Sequence, residues 1–156
     1  MSLFLRNLFF LILQPGVVAG VIPYYLAASV WNHLSFRTLH FPGYVGIVFL
    51  AAGFTVLLIC VVQFAVQGQG TLSPADPTQK LVTRGLYRHS RNPMYIGVLG
   101  MLVGESLLVQ AAAMWIYTAA VSAGFHLFVV FHEEPRLRRD FGEEYLNYLT
   151  AVRRWL

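Results

Sequence analysis

Two short stretches carry the residue types of a binding site. One is RHSRNPMYIG, residues 88–97. With Arg84 just upstream, it puts three arginines within eight residues, followed by Asn92-Pro93 and Tyr95. The other is Glu133-Glu134-Pro135. Pro93 is suited to open a helix, since its missing N–H falls where helix donors are unpaired anyway. Asn92 then sits near the N-cap. The free N–H groups of that first turn favour an anion such as a carboxylate, and Arg88 and Arg91 reinforce the field. Tyr87 and Tyr95 offer aromatic faces to a planar ring or a sulfonium. Glu133 and Glu134 suit a cation or the hydroxyls of a ribose. Their competing role is to complement the N-terminal dipole of a helix begun at Pro135. A zwitterionic, aromatic, sugar-bearing cofactor matches the whole set, though spacing alone does not single it out.

The elements that hold these stretches must lie in a membrane. The chain is 57% hydrophobic and 12% charged, against about 25% charged in an ordinary soluble domain. A soluble domain of 156 residues could not clothe such a sequence in polar surface. The length suits one domain, residues 1–156, with two N-terminal spans in 1–66 and a cofactor-binding core in 67–156. The pattern predicts an all-α integral membrane protein of about four transmembrane helices. The first is expected from about Leu8 to Trp31, broken by Gln14-Pro15-Gly16 and Pro23. The second is expected from Tyr44 to about Val66. The N-terminal apolar run is too long for a signal-peptide core and lacks a clean cleavage site, so it reads as a retained span. Met94 to Phe131 is 38 residues, about 57 Å as one straight helix. A bilayer core is about 30 Å thick. A hairpin of two short spans is therefore expected, turning near Gln110–Ala113.

Charge sets the orientation. Lys80, Arg84, Arg88 and Arg91 follow the second span. Arg136, Arg138, Arg139, Arg153 and Arg154 follow the fourth, and only Arg37 lies between the first two. The positive-inside rule places both basic segments in the cytoplasm, where they can meet each other and anionic lipid head groups. Basic residues that border membrane segments point away from nucleic acid. The tail reads as an amphipathic helix with Leu137, Phe141, Tyr145, Tyr148, Val152 and Trp155 on one face, interrupted at Gly142. The lone Cys60 allows no internal disulfide.

Other polar residues sit inside apolar runs. Gly97, Gly100 and Gly104 share one helix face and favour close packing against a neighbouring span. Glu105 is costly there unless partnered or protonated. It is either a structural carboxyl between helices or part of a cavity wall. Gln63 and His126 read as helix–helix hydrogen bonds.

The blocks LVTRGLYRHSRNPMYIGVLGMLVGESLL and HEEPRLRRDFGEEYLNYLTAVRRW, in that order around a hairpin, resemble the isoprenylcysteine carboxyl methyltransferase and phospholipid methyltransferase superfamily. The resemblance covers about residues 68–156. It implies an integral membrane enzyme that uses S-adenosyl-L-methionine. It implies that Gln79, Lys80, Leu81 and Val82 line the cofactor, and that Tyr87 is the pocket tyrosine. By the same resemblance Asn92, Pro93, Met94 and Tyr95 form the His-Pro-x-Tyr element, and Glu133 binds the cofactor. Asn92 replaces the usual histidine, and Gly97-Val98-Leu99-Gly100 does not match the Gly-x-Gly element. Val129 stands where eukaryotic isoprenylcysteine enzymes carry a substrate-binding arginine, so the acceptor stays open. A lipophilic acceptor entering from the bilayer is implied, and no metal. The candidate catalytic groups are Glu134, Glu105 and Arg91. A membrane reductase using NADPH and a non-catalytic scaffold are the rival readings. Oligomeric state is not legible.

Overall fold

The computed structural model describes residues 15–28, 40–64, 66 and 80–156. Every regular element among them is helical. The remainder of the expected first span, the segment 67–79 and Gln79 lie outside the described residues.

Helix α1, Val17–Leu26, opens as a π turn over Val17–Val21 and continues as an α-helix from Ile22. It kinks at Ala19, with φ −110° and ψ 21°. Its ten residues rise about 15 Å, half of a bilayer core. Helix α2 runs Phe41–Gln63, 23 residues, and rises about 34 Å, enough to cross. It begins three residues before the expected Tyr44, because Pro42 supplies a helix start in the first turn.

The expected hairpin is present. Helix α3, Pro93–Val109, ends at Gln110, whose left-handed backbone (φ 54°) turns the chain. Helix α4, Ala112–Phe128, returns. Both have 17 residues. Helix α4 then passes through a π turn, Val129–Glu133, into α5, Glu134–Ala151. The span and the tail thus follow one another without a connecting loop over 40 residues, Ala112–Ala151. This path and α2 are the two described helices long and apolar enough to cross a membrane. The interruption at Gly142 is real: its φ of +49° and ψ of −122° break α5. The tail differs from expectation at its end. The helix stops at Ala151, and Val152 is extended at φ −130° and ψ 134°. Val152 and Trp155 therefore do not continue the helical face. The main chain there leaves the helix to bond to another segment, described below.

Helices α2 and α3 pack antiparallel through glycine. A Cβ on Gly104 would lie 2.6 Å from the Gly46 carbonyl oxygen and 2.7 Å from the Leu50 nitrogen. A Cβ on Gly97 would lie 2.9 Å from the Gly53 oxygen, and Gly100 also faces Gly53. The two pairs repeat every seven residues, 46 to 53 and 97 to 104, so the backbones stay close over two turns. In lipid no hydrophobic effect draws helices together, and close backbone packing takes that role. Leu57, Val98, Leu102 and Ala19 fill the core beside this seam. Ser106 and Thr118 hydroxyls meet at 2.9 Å to join α3 and α4. Tyr117 donates to the Val18 carbonyl at 2.8 Å and ties α4 to α1. The outer faces keep Val48, Phe54, Val62 and Ile116 exposed, an apolar surface that suits lipid.

Substituting Gly104→Val should destabilise the folded chain by about 2 kcal/mol through overpacking against backbone. Gly124→Ala on α4, where an added Cβ meets nothing within 4 Å, should stabilise by up to about 1 kcal/mol. Thermal unfolding in detergent measures both. Equal melting temperatures for the two variants would contradict the glycine seam.

Candidate functional site

The site is assembled where three segments meet at one end of the α3–α4 hairpin. These are the loop 81–92, the start of α5, and residues 152–156. The loop is anchored from below. Val82 and Tyr87 are buried with Cys60 of α2, and the Tyr87 ring packs 5.5 Å from that of Phe64. A short 3-10 turn, Gly85–Arg88, carries the chain past α2. Gly85 has φ +65°, and its Cα rests against the Gln63 side chain, leaving no room for a Cβ. Glycine is needed there on both counts.

The second anchor is Glu134. It is 6% exposed, and burial of a carboxylate is costly without partners. It has two. Arg154 donates from Nε at 2.7 Å and from Nη2 at 3.1 Å, a bidentate pair. Arg91 brings Nη1 to 3.1 Å from Oε1. That contact is one of charges more than of aligned hydrogen bonds, for Arg91 Nε and Nη1 find no hydrogen-bond partner among the described residues. Burial works to raise the Glu134 carboxyl, and the Arg154 hydrogen bonds with the Arg91 charge outweigh it, so the group is held below its ordinary range.

The main chain closes the same junction. The Arg91 N–H donates to the Arg153 carbonyl at 3.0 Å. Asn92 Nδ2 donates to the Arg154 carbonyl at 2.9 Å, and Ser90 Oγ donates to it at 3.3 Å. Asn92 occupies the N-cap position of α3, yet its side chain makes no capping bond. It is spent on Arg154 instead, and its own N–H donates to Ser90 Oγ at 3.1 Å. Tyr148 of α5 donates to the Tyr87 carbonyl at 2.6 Å. Trp155 donates to His126 Nδ1 at 3.3 Å and stacks on its ring.

Glu133 faces a different neighbour. Its Oε2 accepts from the Tyr95 hydroxyl at 2.9 Å, and the Tyr95 ring lies 4.7 Å from Phe125. Burial pushes the Glu133 carboxyl above its ordinary range, against the Tyr95 hydrogen bond and the Arg136 charge. Two adjacent glutamates are thus shifted in opposite directions, because one faces two guanidiniums and the other a phenol.

The residues singled out in the sequence are distributed as follows. Tyr87, Asn92, Pro93, Met94, Tyr95, Glu133, Glu134 and Arg91 belong to this junction or its immediate supports. Tyr87 turns its ring to the core. Val82 is buried, Leu81 half-buried and Lys80 exposed. Glu105 lies along α3 away from the junction, buried at 8% exposure, and its Oε2 has no partner among the described residues. Gln63 packs on Gly85. His126 serves Trp155 and not a second span. Sequence reading missed Ser90 and Arg154 as partners of this junction. Nothing in the sequence distinguishes Arg154 from Arg153, since only the path after Ala151 decides which one turns inward.

Among the described residues every regular element is helical, two helices are long and apolar enough to cross a membrane, and a polar junction closes one end of the α3–α4 hairpin. The phospholipid methyltransferase family model matches residues 42–144, and the chain belongs to that family. The family is one of S-adenosylmethionine-dependent methyltransferases. Among curated proteins, the chain is 27% identical over 135 residues to the rat protein-S-isoprenylcysteine O-methyltransferase, covering 81% of this chain and 48% of the rat protein. It is 29% identical over 113 residues to a probable protein-S-isoprenylcysteine O-methyltransferase of Oryza sativa subsp. indica, covering 72% and 59%. It is 35% identical over 72 residues to the Arabidopsis thaliana protein-S-isoprenylcysteine O-methyltransferase A, covering 46% and 36%. The chain therefore spans about half the length of these relatives. No solved structure matches it.

The Glu134 junction predicts a pH dependence. A carboxyl held below its unfolded value contributes stability that is present above that value and lost as pH falls through the folded one. Glu134→Gln should cost roughly 3 kcal/mol at pH 7 by stranding Arg91. It should also flatten the fall in melting temperature on acidification below the ordinary carboxylate range. Parallel acid profiles for variant and wild type would refute this assignment.

Proposed function

We propose that the chain is an integral membrane methyltransferase that moves a methyl group from S-adenosyl-L-methionine to a lipophilic acceptor. The observation that carries this reading is the junction itself, in a chain of this family. Tyr95, Glu133 and the 81–92 loop converge at one end of the α3–α4 hairpin. The residues fit the cofactor. Glu133 with the Tyr95 hydroxyl is a polar pair suited to ribose, and the Tyr95 and Phe125 rings are suited to a flat base or a sulfonium. Arg91 and Arg154 together outnumber Glu134 and leave positive charge beside that pair, suited to a carboxylate. When bound, S-adenosylmethionine supplies an activated methyl on a good leaving group. The protein then has mainly to bind, orient and exclude water.

The engagement of Glu134 with two arginines supports a positioning role and not a proton-accepting one. That favours an acceptor needing no general base, as a carboxylate does. An amine acceptor would have to be unprotonated, and Glu134, held by its arginines, is poorly suited to take its proton. Four spans, with the junction on the cytoplasmic face, agree with the basic residues around it. The acceptor then enters sideways from the bilayer.

Calorimetric titration of the detergent-purified chain with S-adenosylhomocysteine, with NADPH in parallel, tests the class. Saturable binding of the former alone is expected. Binding of NADPH alone, or of neither by folded protein, would overturn the reading. Glu133→Ala and Tyr95→Ala should each weaken binding about tenfold, the value of a hydrogen bond to a charged group. Unchanged affinity in both would remove these residues from the site.

A further inference from the structure

The segment 152–156 is the least expected part of the junction. It leaves α5 in extended form and lies across the loop 90–92. Its hydrogen bonds reach the loop 90–92, Glu134 and His126. The carbonyls of Arg153 and Arg154 receive three donors, Arg91 N–H, Ser90 Oγ and Asn92 Nδ2. The Arg154 guanidinium holds both oxygens of Glu134. Trp155 fastens the far end to His126 of α4.

Two physical points make this more than a surface tie. Three donors from a loop with no regular structure beyond one short turn converge on two consecutive carbonyls. The strap thus fixes the last residues of the loop before α3, as α2 fixes its earlier part through Val82 and Tyr87. The charge count is also unequal. Two guanidiniums face one carboxylate, which leaves the cluster at +1. Arg91 is the more buried of the two, with its side chain 11% exposed against 34% for Arg154. Arg154 takes both Glu134 oxygens in hydrogen bonds, so Arg91 Nη1, 3.1 Å from Oε1, is held there by charge, and its Nε and Nη1 make no hydrogen bond among the described residues.

We propose that residues 152–156 form a strap that completes the methyl-donor site, with Arg154 as its positioning residue. Arg154 occupies Glu134 through its side chain and fixes Asn92 and Ser90 through its carbonyl. The strap thereby holds the start of α3, which carries Tyr95, where the Tyr95 hydroxyl meets Glu133. The inference rests on the proposed function, and it deepens that site by adding a segment to it.

The test uses the full chain in detergent, with S-adenosylhomocysteine as probe and calorimetric affinity and melting temperature as paired readouts. Arg154→Gln should weaken binding about tenfold, a loss expected for charge-assisted hydrogen bonds. Arg154→Lys keeps the charge near Glu134 and should recover part of the loss. Trp155→Ala, at the partly exposed end of the strap, should weaken binding about threefold. A lowered melting temperature for Arg154→Gln with unchanged affinity would make the strap merely structural and overturn the proposal. If Arg154→Gln does not fold, Trp155→Ala decides, and wild-type affinity there overturns it. Failure of the wild type itself to bind would overturn the proposed function first. Wild-type binding with unaffected variants would overturn the strap alone.

Discussion

A carboxylate buried between two guanidiniums holds the working end of this molecule together. Glu134 stands where the membrane hairpin hands over to the tail helix. Its partners come from the loop before α3 and from the segment after α5. Three pieces of chain far apart in sequence thus depend on one residue. Burial of an ion is tolerated only when its partners are well placed. That requirement fixes where residues 91 and 154 must lie, and the main-chain bonds of 90–92 follow from it.

The membrane part answers a different constraint. Lipid offers helices no hydrophobic reason to associate, so they associate through close backbone approach and hydroxyl bonds. The glycine seam of α2 and α3 provides the first, and Ser106 with Thr118 the second. The seam fixes α3, the start of α3 carries Tyr95, and the π turn after α4 carries Glu133. The Tyr95–Glu133 bond is the point where the packing of the spans becomes the geometry of a site. A π turn there is suited to the task, because it rotates the following residues relative to a regular helix.

The neighbouring glutamates show how position divides two identical side chains. Glu133 sees the Tyr95 phenol, and burial raises it. Glu134 sees two arginines, and they lower it. The first is held by the Tyr95 hydroxyl and the second by two arginines.

Much of this was legible in the residues alone. The hairpin and its turn followed from a length no single span could use. The glycine face followed from spacings of three and four, and the break at Gly142 from glycine's backbone freedom. Such features are local, set by period, length and one residue's stereochemistry. The family motif was legible too, because its residues are close in sequence. What the tertiary structure alone decided was partnership. Asn92 was expected to cap a helix and instead donates to Arg154. The tail was expected to stay helical through Trp155 and instead unwinds after Ala151. One of two consecutive arginines turns inward to Glu134. Each outcome is a competition between a local bond and a distant one of similar strength. The distant bond wins only when the rest of the fold has brought its partner within reach, and no local pattern records that.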